Sequence, residues 1–172
     1  MTRNVLFLCT HNSARSILAE AILNAKGGGR FRGFSAGSHP KAAPNPDGLA
    51  LLADRGHPLD GLQSKTWEAF AAPGAPRMDV VITVCDAAAG EACPIWPGHP
   101  ATAHWGIADP SAAAGDAAAR RAAFEEAYAA LEERIDKLLS LPADIDAGAL
   151  KAALAEIGAT SSGATDAARS AA

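Results

Sequence analysis

The chain predicts an α/β fold, a three-layer sandwich built on a four-stranded parallel sheet, and three observations carry that prediction. Val5-Leu6-Phe7-Leu8 is an unbroken, β-forming apolar run of the kind buried on both faces of a parallel sheet. Directly after it, Ile17, Leu18, Ala21, Ile22 and Ala25 recur at helical spacing. Further short β-forming runs then alternate with helical patterns, and such alternation implies a parallel sheet covered by helices. At 172 residues the chain has the length for one domain with a real core.

The elements follow in order. Gly27-Gly28-Gly29 stops the first helix, and its spacing does not match a dinucleotide-binding fingerprint. Arg30 to Ser35 reads as the second strand, closing at Ala36-Gly37-Ser38. Asn45-Pro46 is an N-cap and first-turn pair for a helix reaching Arg55. A short helix is expected from Ser64 to Ala71, then a third strand from Asp79 to Val84 with Cys85 at its end. Residues 86–101 read as a loop, and a short fourth strand from Ala103 to Ile107 leads into Asp109-Pro110. Phe124, Tyr128, Leu131, Ile135 and Leu138 mark the apolar face of a long helix from Asp116 to Ser140. Residues 1–141 form the expected domain. From 142 to 172 the composition changes, predicting a short helix over Asp146 to Ile157 and a disordered tail from Gly158.

A net charge of −4 with scattered cations argues against nucleic acid, which demands a basic face. No apolar stretch reaches the roughly 18–20 residues that span a bilayer, so no membrane is expected. The N-terminus enters a strand without a signal-peptide pattern, so a cytoplasmic protein is expected; a monomer is expected as well. Three cysteines are an odd number, and in a reducing compartment they are reactive rather than structural.

Ligand sites in parallel sheets lie at the carboxyl ends of the strands. Cys9, Cys85 and Asp109 all fall at such ends. In Cys9-Thr10-His11-Asn12-Ser13-Ala14-Arg15-Ser16 the thiol and the guanidinium sit on a strand-to-helix turn. Free backbone N–H groups and the positive helix end converge there, which suits an oxyanion and lowers the cost of a thiolate. The bare spacing is weak evidence. With three cysteines in the chain it arises by chance about once in seven, and a buried cysteine followed by an ordinary surface arginine would look the same. The strand, the helix and the small or polar loop residues strengthen the functional reading. Cys85 and Cys93, with His99 and His104 after them, are spaced too widely for a zinc knuckle, and neither a metal nor a cofactor is expected.

These residues resemble the low-molecular-weight phosphotyrosine phosphatases and the thioredoxin-coupled arsenate reductases built on the same fold. The resemblance rests on Cys9-x5-Arg15-Ser16, Ser35-Ala36-Gly37 and Asp109-Pro110. The reductase branch is favoured by Thr83-Val84-Cys85, by Cys93-Pro94-Ile95-Trp96-Pro97, and by the run from His104 to Pro110. Ser111-Ala112-Ala113 follows Asp109-Pro110, where phosphatases usually carry substrate-gripping aromatics.

The resemblance implies that Cys9 attacks arsenate held by the loop amides and Arg15, with Asp109 as general acid. Cys85 then forms a disulfide with Cys9, releasing arsenite, and Cys93 moves the disulfide to Cys85–Cys93 for thioredoxin to reduce. A glutaredoxin or small-thiol reductant is an alternative to thioredoxin. Some relatives bind a monovalent cation beside the loop through residues matching Asn12, Glu20 and Ser35, and here the Lys65 ammonium stands near that place. His11 replaces a common glycine and Ala14 a cysteine found in some relatives. Two further readings stay open. One is a phosphatase using only Cys9, Arg15 and Asp109; the other is a non-enzymatic oxyanion-binding or redox-sensing module.

Overall fold

The computed structural model describes residues 1–85, 88, 96 and 98–170, with 160–170 described as helix backbone only. Four parallel strands, β1 (Arg3–Leu8), β2 (Phe31–Ala36), β3 (Val80–Thr83) and β4 (Ala101–His104), form one sheet in the order β2-β1-β3-β4. Val5 pairs with Gly33 on one side and Val80 on the other, and Val80 pairs with Ala101. The helices are α1 (Arg15–Lys26), α2 (Pro46–Asp54), α3 (Glu68–Ala71), α4 (Ala117–Leu139) and α5 (Ala147–Ser170). The expected α/β architecture with a four-stranded parallel sheet is what the chain forms.

Alternation along β1 explains the layers, because successive side chains point to opposite faces. Val5 and Phe7 join the larger core with Ile17, Leu18 and Ile22 of α1 and Phe124, Leu131 and Ile135 of α4. Leu6 and Leu8 join a smaller core with Phe70, Met78, Val81 and Trp96. Both faces of β1 are therefore buried, as its unbroken apolar run requires.

Several boundaries differ from the sequence reading, each for a local reason. The helix expected from Ser64 begins only at Glu68. Ser64 and Lys65 instead spend their donors on the loop after β1: Ser64 Oγ donates to Asn12 O (2.7 Å) and Lys65 N to Asn12 Oδ1 (2.7 Å). β4 runs over Ala101–His104 rather than Ala103 to Ile107, because Ala101 aligns with Val80 in the parallel ladder. The helix expected to end at Ile157 continues to Ser170. Its first turns are no appendage, since Leu150, Leu154 and Ile157 lie in the larger core. Trp105 Nε1 donates to Leu154 O (3.0 Å), and a Cβ on Gly158 would lie 2.5 Å from His104 O. Glycine lets the helix lie directly on the end of β4.

Candidate active site

The turn from β1 into α1 is built so that its carbonyls face outward. Thr10 O accepts from His39 N (2.9 Å), His11 O from Lys41 N (3.0 Å), Asn12 O from Ser64 Oγ, and Ser13 O from Asn45 N (2.9 Å). With the carbonyls engaged outside, the N–H groups are left to face inward. Asn12 takes a left-handed φ of 45°, a conformation asparagine tolerates better than most residues. Its side chain is buried and braces the turn, donating from Nδ2 to Ser16 Oγ (2.8 Å) while Oδ1 accepts from Lys65 N. Gly37 makes this closeness feasible: a Cβ there would lie 2.5 Å from both Cys9 O and Thr10 O.

α1 begins at Arg15 with Ala14 as N-cap, and no side chain caps its first turn. The orphan N–H groups and the positive helix end therefore stay available to an anion. Arg15 Nη1 donates to Ile107 O (2.9 Å) and Nη2 lies 3.6 Å from Asp109 Oδ2. Its Nε is buried without a partner. A buried guanidinium N–H without an acceptor costs free energy, and an oxyanion in the cradle supplies one.

Cys9 and Cys85 are both buried, 5% and 2% exposed, and hydrogen-bonded to each other. The ends of β1 and β3 are adjacent, and their parallel pairing brings the two thiols together. Cys85 Sγ also accepts from Thr10 N (3.3 Å) and Ala88 N (3.4 Å), and Thr10 Oγ1 lies 3.7 Å away. These donors favour a thiolate, and the Cys85 pKa is lowered to about 5, the Cys9 hydrogen bond being the largest cause. Cys9 moves the other way. Donation to Cys85 and burial raise it, against the field of Arg15 and the His11 N–H. The sequence reading placed the easily lost proton on Cys9. Here the shared hydrogen bond raises Cys9 and lowers Cys85, so the direction of the shift favours Cys85 as the more acidic sulfur.

Asp109 stands on the same rim, at the start of a short 3-10 turn (Pro110–Ala112) that it caps through Ser111 N (3.0 Å). Burial pushes its pKa up, but the Ser111 hydroxyl (2.6 Å), Arg15, the Ser111 N–H and Lys41 outweigh burial and hold the carboxyl below its usual value. Cys93 lies outside the described residues. Behind the loop, Ser35 Oγ donates to Glu20 Oε2 (2.5 Å). Burial raises the Glu20 pKa, while Ser35 and the Lys65 charge oppose it. Lys65 Nζ itself donates to Gln63 O (2.7 Å). His11 is exposed at the rim, whereas Ser13, Ala14 and Ser16 are buried within the turn.

Sequence reasoning missed the donors that Thr10 and Ala88 supply to Cys85, and it missed Ser111 as the partner of Asp109. A serine directly after Asp109-Pro110 was the signal available for the second.

A model of the low molecular weight phosphotyrosine protein phosphatase family matches residues 4–154. The chain belongs to that family. Among relatives of this phosphatase-family protein, an arsenate reductase of Bacillus licheniformis is 31% identical over 135 residues, 78% of this chain and 94% of that protein. One of Bacillus subtilis is 31% identical over 121 residues, 70% of this chain and 84% of that protein. The fold of this chain is shared with an arsenate reductase from Archaeoglobus fulgidus (TM-score 0.62, 28% identity, 80% of this chain and 99% of that one). A thioredoxin-dependent arsenate reductase from Corynebacterium glutamicum gives a TM-score of 0.59 at 27% identity over 80% of this chain. This chain spans 60% of that larger chain.

Proposed function

We propose that this protein reduces arsenate to arsenite through a thiol relay beginning at Cys9 and recycled by thioredoxin in the cytoplasm. The observation that carries the reading is the Cys9–Cys85 pair at the oxyanion cradle. Hydrolysis of a phosphate ester needs one thiol, and a second one hydrogen-bonded to the first serves disulfide formation.

In this reading the steps are as follows. A tetrahedral oxyanion enters the cradle, accepts from the α1 N–H groups and gives Arg15 Nε its missing partner. Cys9 gives up its proton and its sulfur bonds to arsenic as a hydroxyl leaves as water. Asp109 is the carboxyl group placed to hand over a proton. It is a carboxylate at rest, so that proton arrives with the reaction, from Cys9 or from the substrate. Cys85 thiolate then attacks Cys9 Sγ. The sulfur–arsenic bond breaks, its electron pair stays on arsenic, and arsenite leaves a Cys9–Cys85 disulfide. Attack of Cys93 on Cys85 Sγ frees Cys9 and leaves Cys85–Cys93 for the reductant.

Lys65 takes the place of a loop-side cation in this reading, its charge opposing that of Glu20 behind the loop. Potassium should then leave the rate unchanged.

The phosphatase reading shares Cys9, Arg15 and Asp109, and one experiment separates the two. Arsenate-dependent NADPH oxidation with thioredoxin and thioredoxin reductase is measured beside phosphate-ester hydrolysis. Turnover that is lost in Cys9→Ser, Cys85→Ser and Cys93→Ser is the expected result. Full turnover of Cys85→Ser, or ester hydrolysis with no arsenate-driven oxidation, would overturn the relay.

A further inference from the structure

Arg134, on α4, is 3% exposed, unusual for a guanidinium. It has no carboxylate partner among the described residues. Nη1 donates to Ala130 O (3.4 Å) in its own helix, Nη2 to Gly106 O (3.3 Å), and Nε is buried without a partner. Removing a charge from water is costly, and two long bonds to neutral carbonyls recover only part of that cost. An apolar side chain of similar volume would serve the core as well or better. Stability alone does not account for the arginine.

What Arg134 reaches is the loop between β4 and Asp109. Gly106 O accepts from Arg134, and the very next carbonyl, Ile107 O, accepts from Arg15. Two guanidinium groups on two helices thus hold consecutive carbonyls of the strap that carries Asp109. The strap is also tied by Trp105 N to Thr83 O (2.8 Å) and Ile107 N to Val84 O (3.1 Å). Arg15 has a second duty, because an oxyanion competes with Ile107 O and Asp109 for its fork. When Arg15 turns to the anion, Arg134 is the guanidinium that stays on the strap.

We propose that Arg134 is a positioning residue that fixes Asp109 over the cradle by holding the Gly106 carbonyl. It touches neither substrate nor reacting atoms and acts through Asp109. The inference rests on the proposed reaction only in its use of Asp109.

The test is a double-mutant cycle on the full chain with Arg134→Met and Asp109→Asn, reading kcat and KM for arsenate and the urea midpoint. In the wild-type background Arg134→Met should lower kcat about 10–100-fold, as a displaced catalytic group does, with KM changed little and the midpoint unchanged or raised. In the Asp109→Asn background the same substitution should change kcat hardly at all, because its target is gone. Arg134→Lys keeps the charge without the planar fork and should recover part of kcat, which keeps the test decisive should Arg134→Met fold poorly. Equal losses in both backgrounds, or a lower midpoint with kcat intact, would overturn the proposal. If the wild type reduces no arsenate, the reductase reading fails instead, and the same cycle is run on phosphate-ester hydrolysis, which also uses Asp109.

Discussion

Thr10 donates its backbone N–H to Cys85 Sγ over 3.3 Å, so the residue beside one thiol stabilises the other. This cross-connection follows from the adjacency of β1 and β3 and divides the labour between the two sulfurs. Cys9 lies in the cradle and its pKa is raised, while that of Cys85 beside it is lowered.

The first prediction concerns the Cys85 thiolate. Its absorbance should titrate near pH 5 in the wild type. Cys9→Ala removes the largest stabilising donor, so the Cys85 pKa should rise by about one to two units, the worth of a hydrogen bond to a charged group. Thr10→Val leaves the backbone donor and removes only the hydroxyl, so its shift should have the same sign and be smaller. A titration unmoved by Cys9→Ala would mean that the two sulfurs do not share the proton.

Asp109 competes with substrate for Arg15. Its carboxylate lies 3.6 Å from Nη2 and repels an incoming anion. Asp109→Asn should therefore tighten binding of phosphate or arsenate while slowing turnover by about 10²-fold or more, the usual contribution of a positioned general acid. A fall in kcat with a fall in KM is the signature, read from steady-state kinetics and from calorimetric titration with phosphate. Weaker phosphate binding in the variant would show instead that Asp109 helps to hold the anion.

Gly37 is required by space. Gly37→Ala places a methyl group 2.5 Å from two carbonyl oxygens of the cradle. The backbone must shift, and overpacking of this kind costs about 1–3 kcal/mol. Urea unfolding should show the loss, and phosphate affinity should fall with it because the shifted atoms belong to the anion loop. A variant as stable as the wild type with unchanged phosphate binding would show that the loop adjusts freely.

How much of this was legible in the sequence depends on the distance over which each signal acts. The β1–turn–α1 unit reads from local pattern alone, since the apolar run, the small loop residues and the helical spacing are contiguous. The meeting of Cys9 and Cys85 also reads correctly, because the ends of adjacent parallel strands share one rim, whereas Asp109 lies five residues beyond the end of β4 and reaches Arg15 from the loop. Ser64 and Lys65 carry a helical pattern, and nothing local says that their donors are committed to Asn12, some fifty residues earlier. The acidity of Cys85 was invisible for the same reason. Its donors come from Thr10 and Ala88, and only the folded pairing of β1 with β3 brings Thr10 there. Arg134 reads as one more charged residue on a helix until its burial is known.

The C-terminal segment gives the last prediction. Composition set residues 142–172 apart from the domain, yet Leu150, Leu154 and Ile157 are buried in the larger core. Leu154 is fully buried, and its carbonyl accepts from the indole of Trp105, itself fully buried beside the end of β4. Leu154→Ala should cost about 2–5 kcal/mol, as a cavity in a packed core does, and the same unfolding curve should be traced by tryptophan fluorescence and by circular dichroism. The tie also bears on the site, because Trp105 N donates to Thr83 O, two residues before Cys85, and begins the strap to Asp109. Truncation before Ala147 should thus lower both stability and turnover. If Leu154→Ala unfolds at the wild-type urea midpoint, α5 is an appended helix and the Trp105 tie carries no weight in holding the catalytic rim.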